Sequence, residues 1–163
     1  MAELTKLETK LGEVMGLAMA AQEATDKVQT LLDGNSGLGA TLKKMNEEAA
    51  ETETRCSDLA ANFEGKKTAI QDEARSVKQK GAEMLKTYLD SDADALDGFE
   101  FLTMAEAAEV GHWSVLQVMN EQAGDGAISE LVAWALPIQQ RHFSDVSEGA
   151  KQLAAEADPT EPG

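Results

Sequence analysis

The segment LTMAEAAEVGHWSVLQVM, residues 102–119, decides how the rest of the chain is read. Leu102, Ala105, Glu109, His112, Leu116 and Met119 recur at spacings of three and four, which places them on one face of an α-helix. A carboxylate and an imidazole, three residues apart, interrupt that apolar face. The segment WALPIQQRHF, residues 134–143, repeats the arrangement. There Ile128, Val132, Ala135, Gln139, His142 and Val146 form the stripe, again with two polar side chains three residues apart. His112 and His142 are the only two histidines of the chain.

Helical spacing extends outward to both sides. Leu4, Leu7, Leu11, Val14, Ala18, Ala21, Val28 and Leu32 form one stripe, interrupted by Thr25 and closed by Asp33-Gly34-Asn35-Ser36-Gly37. Leu38, Leu42, Met45, Ala49, Thr52, Cys56, Leu59 and Phe63 form a second. It resumes past Gly65 with Ile70, Ala74, Val77, Met84 and Tyr88, and a break or kink near Gly65 is expected. After the acidic connector 90–98, helices are predicted from about Phe99 to Gln122 and from about Ala127 to Ala154. Pro137 lies inside the last and predicts a bend there. Proline is absent before residue 137 and the strong helix formers Ala, Glu, Leu, Lys and Met abound, so no sheet is expected. The pattern predicts an all-α protein. Four long amphipathic helices with short connections read as an antiparallel four-helix bundle, with 66–97 as an extra helical segment and connector between the second and third. A single domain over 1–156 and a frayed acidic tail over 157–163 are expected.

Composition removes several functions. The chain has 163 residues with 14 Lys+Arg against 30 Asp+Glu, a net charge of −16. That balance argues against nucleic-acid binding, which needs a basic face, and against docking on an anionic membrane. The acids are concentrated: residues 87–163 hold 2 basic and 15 acidic side chains, net −13, against −3 in the first 86. One cysteine, Cys56, excludes an intramolecular disulfide framework and a zinc ribbon, and its place on an apolar stripe suits an inert buried thiol. The N-terminal residues lack the apolar core of a signal peptide, and a cytoplasmic location is expected.

Two motif-like stretches fail on their chemistry. Gly34-Asn35-Ser36-Gly37-Leu38-Gly39-Ala40-Thr41 nearly spells a phosphate-binding loop, but Ala40 stands where the lysine belongs and no strand precedes it. Asp90-x-Asp92-x-Asp94 begins like a calcium loop, yet Ala95 replaces the required glycine and Phe101 the closing glutamate. Those acids suit the N-cap of the following helix instead.

Glu-x-x-His is different. Residues three apart on a helix project side by side, so a carboxylate and an imidazole can reach one metal ion, and that donor mixture suits iron or manganese. A metal would also offset the several kcal/mol that each buried charge costs. The competing reading is two structural histidines, His112 satisfied by Glu109 and His142 by Gln139 or Asp145.

With these residues in place, the chain resembles the ferritin-like proteins, nearest the stress-induced YciE/YciF type. The likeness is most specific over 96–113, where acidic residues lead into a helix with two glutamates and an aromatic, and over 134–143. Glu48-x-x-Glu51-Thr52 is similar to a His-x-x-Glu-Thr segment of that family, with Glu48 in the histidine place. The resemblance implies a mid-bundle site for iron or manganese with Glu51, Glu106, Glu109, His112 and His142 as ligands. It implies a metal-binding stress-response protein with weak peroxide- or oxygen-linked redox activity. Gln139 stands where a second metal-binding glutamate belongs, and the first helix has no glutamate on its apolar stripe. Those departures suit the alternative, a non-enzymatic helical scaffold with a vestigial site, acting through self-association. A homodimer is expected, because Trp113 and Trp134 lie beside the stripes and segment 66–89 carries an apolar ridge of its own.

Overall fold

The computed structural model describes residues 2–162. It contains α1 (Lys6–Gln29), α2 (Ser36–Ala60), α3 (Lys67–Tyr88), α4 (Ala95–Ala123) and α5 (Gly126–Glu156), and no strand among the described residues. The protein is all-α. Among the described residues, no helix is long and apolar enough to cross a membrane.

Local chemistry sets the boundaries. Thr5 caps α1 and Asp94 caps α4, each in a reciprocal box with the third helical residue, Glu8 and Asp97. Asn35 and Asp125 cap α2 and α5 through their side-chain oxygens. The second stripe does break at Gly65, whose φ of +73° reverses the chain between α2 and α3. The acidic connector acts as a cap, through Asp94, and the glycine-rich stretch after Asp33 is a turn leading to the N-cap Asn35. α5 runs unbroken through Pro137.

Side-chain pairings fix the helix directions. Gln22 meets Glu53 and Thr25 meets Asn46, so α1 and α2 are antiparallel. Gly12 lies against Ile70 and Gly16 against Ala74 and Val77, so α3 runs back parallel to α1. Glu13 meets His112 and Val28 meets Gly98, making α4 antiparallel to α1. α5 returns antiparallel to α4 and closes on α2 through Glu48 and Arg141. α1, α2, α5 and α4 thus form a ring, and α3 lies mainly over α1. The ridge of 66–89 is consumed inside the molecule only in its first half: Ile70 and Ala74 are fully buried, while Met84 and Tyr88 are left exposed.

The apolar core divides in two. One cluster joins Leu11, Val14, Cys56, Ile70, Trp113, Leu116 and Val132. The other joins Val28, Leu42, Met45, Phe99, Leu102 and Val146. Buried polar side chains of α2, α4 and α5 lie between them in sequence along each helix.

Candidate functional site: a buried carboxylate layer

Between the two clusters, Thr52 of α2, Glu106 and Glu109 of α4, and Gln139 and His142 of α5 are all at most 3% exposed. Every one lies on its helix's core-facing stripe, at the three- and four-residue spacing that delivers side chains to one interior. α1 brings no acid to this level; its buried residues there are Ala18 and Ala21.

The surrounding acceptors assign the amide of Gln139 with Nε2 towards α4, where it donates to Glu106 Oε2 at 2.9 Å and Glu109 Oε2 at 3.1 Å. One amide therefore bridges two carboxylates. His142 lies with Nδ1 3.7 Å from Glu106 Oε2 and Nε2 3.4 Å from Glu48 Oε1. Arg141 closes the solvent side, gripping Glu48 with both terminal nitrogens, one of them at 3.1 Å. Thr52 is satisfied locally, its hydroxyl donating to the Glu48 carbonyl at 2.8 Å.

These contacts set the protonation pattern. Burial, and then the charge of Glu106, push the Glu109 carboxyl well above the ordinary carboxylate range. Burial alone would raise Glu48 too, but Arg141 and His142 outweigh it and hold Glu48 below its usual value. Arg141 is raised in turn, chiefly by its hydrogen bonds to Glu48. Burial, followed by the charges of Glu53 and Glu109, drives the Cys56 thiol far up and leaves it un-ionised. Polar contacts thus join Glu106 and Glu109 through Gln139, and Glu48 to His142, while the 3.7 Å between His142 and Glu106 is beyond hydrogen-bond reach.

Of the five expected ligands, the structure brings together Glu106, Glu109 and His142. It separates the other two. Glu51 is exposed and paired with Arg55 at 2.7 Å. His112 is about 40% exposed and faces Glu13 Oε2 at 3.2 Å and Lys10 Nζ at 3.3 Å on α1. The physical reason is a rotation of α4: its buried face reads Leu102, Glu106, Glu109, Trp113, Leu116 and Asn120. Burying the fully enclosed indole of Trp113 gains more than burying the imidazole beside it. Glu48 is the residue that sequence reasoning placed in the family pattern without counting as a ligand. Its spacing from Met45 and Thr52, three and four residues, was the available signal.

Glu48, Glu106, Glu109 and His142 form a hard-oxygen and imidazole donor set whose chemistry fits iron or manganese. Among the described residues, no three His, Cys, Asp or Glu side chains converge on one point at ligating distance. The Gln139 amide takes one oxygen each of Glu106 and Glu109, and the Arg141 guanidinium takes both oxygens of Glu48. No family model, no curated protein and no solved structure matches the chain.

Proposed function

We propose that the protein is a ferritin-like, metal-binding helical bundle whose site is the carboxylate layer, with Glu48, Glu106, Glu109 and His142 as the residues that hold iron or manganese. The observation that carries this reading is the pair Glu106 and Glu109, both almost wholly buried and sharing one neutral donor. Two adjacent carboxylates in an apolar core are costly unless something positive joins them. The direction of the helices supports it as well: α3 returns the chain so that α2 and α4 run the same way, the single crossover characteristic of ferritin-like connectivity. A bound metal would supply electron transfer to oxygen or peroxide. The residues' own contribution would be to neutralise its charge, with Glu109 giving up its proton to do so, and to exclude water with the two apolar clusters.

The test is metal content after purification without chelator, followed by anaerobic titration with Fe(II) and Mn(II). Binding is expected to be lost in Glu106→Ala and His142→Ala and kept in Glu51→Ala and His112→Ala. A second reading, a scaffold with a vestigial site, is favoured by Gln139, which satisfies both carboxylates without a cation. Wild-type protein that takes up neither metal would establish the scaffold and end the metal reading.

A further inference from the structure

We infer that the outward face of the α4–α5 hairpin is a homodimer interface, formed by α4 packing antiparallel against α4 of a second copy about a two-fold axis near Gly111. The inference is independent of any metal.

Its first support is the distribution of charge. Seven α4 positions between Glu100 and Glu121 are exposed and none is charged among the described residues. The same holds for the five exposed α5 positions between Glu130 and Glu148. On α2, by contrast, six of ten exposed side chains are charged. The half-exposed charges of α5 turn away from the hairpin's face: Arg141 grips Glu48, and Asp145 lies in a groove with Leu38 and Thr41 of α2. Each copy carries a net −16, and a face whose exposed side chains are uncharged lets two copies meet without setting acid against acid.

The second support is the face's self-complementarity. An antiparallel two-fold contact pairs positions equidistant from its centre. Centred on Gly111, it sets Met104 against the partner's Val118, and Ala107 against the partner's Val115. At the ends Glu100 meets the partner's Gln122, so a carboxylate faces an amide donor rather than another acid. Val118 is 54% exposed and Val115 43%, a large apolar surface to leave in water. An added Cβ on Gly111 meets nothing within 4 Å, so this glycine serves no packing need inside the subunit. At a helix crossing it lets two backbones approach closely.

α3 covers α1, while nothing in the fold covers this side. The α4 stretch from Met104 to Val118 is about 21 Å long. Two helices wide, the face falls below the roughly 800 Å² per partner of a standard complex, so a dimer that dissociates on dilution is expected.

Sedimentation velocity over a dilution series tests the proposal, with Gly111→Glu and Gly111→Cys as variants. The wild type should be dimeric at roughly 100 μM and shift towards monomer on dilution. Gly111→Glu has room within the subunit, so it should keep wild-type circular dichroism yet sediment as monomer. Gly111→Cys should form a disulfide-linked dimer under mild oxidation, since Cys56 is buried and does not compete. Wild type that stays monomeric at the top concentration, or a dimer undiminished in Gly111→Glu, overturns the inference and leaves the face to another occupant.

Discussion

Glu109 binds its proton more tightly in the folded protein than in the unfolded chain, because burial and the neighbouring Glu106 both penalise its charge. Stability therefore falls as pH rises from the unfolded glutamate value, about 4.3, through the raised folded value, and the whole penalty is present above it. Glu109→Gln removes that penalty. In chelator-treated protein the variant should be more stable than wild type at pH 7. The difference should vanish as pH approaches 4. Urea unfolding at a series of pH values checks this, and a variant less stable at every pH would contradict it. Glu48 has the opposite sign. Its folded value is lowered, so its contribution is present above the unfolded value and fades as pH falls through the folded one. The sequence placed Glu106, Glu109 and His142 on helices at usable spacings. It did not separate Glu48 from Glu51, or His112 from Trp113, because neighbouring 3–4 stripes on one helix are equally periodic. Which of them faces inward is settled by the volume each side chain must bury.

At the level of elements, the contact between α1 and α3 depends on two side chains that are not there. A Cβ on Gly12 would stand 2.9 Å from the Ile70 carbonyl oxygen, and one on Gly16 would stand 2.7 Å from Val77 Cβ. Both distances are below contact, so α3 can sit on α1 only because these positions are glycine. Gly16→Ala should destabilise the protein by about 1–3 kcal/mol, against the ~1 kcal/mol that alanine otherwise brings to a helix. Thermal unfolding of the variant measures the balance, and a melting temperature equal to or above wild type would show that α3 yields without cost. The helix spans, the acidic cap of α4 and the break near Gly65 were legible in the sequence. Apolar period, aspartate at a helix start and glycine at turns are local signals. The destination of α3 was not legible, since a glycine in a helix announces a close approach without naming the element that makes it. Its ridge read as surplus surface; the first half is used within the chain, at Ile70 and Ala74, and the second half stays exposed at Met84 and Tyr88.

Across the whole molecule, the division of the core has a dynamic consequence. One apolar cluster ties together the start of α1, the end of α2 and the turn between α4 and α5; the other ties the end of α1, the start of α2 and the start of α4. Between them the helices meet through small alanines, Ala18, Ala21 and Ala49, and through the polar layer, which together bury less apolar surface than either cluster. The two ends can therefore breathe separately, each a cooperative unit with its own opening free energy. Native-state amide exchange should sort the slow amides into two sets, Val14, Cys56, Trp113 and Val132 in one and Val28, Leu42, Leu102 and Val146 in the other. Under mild denaturant the sets should open at different free energies, and merging into one set would mean the layer transmits packing after all. Anything that neutralises the layer would couple the two ends, so occupancy at the centre would be felt as rigidity about 20 Å away, half a helix length.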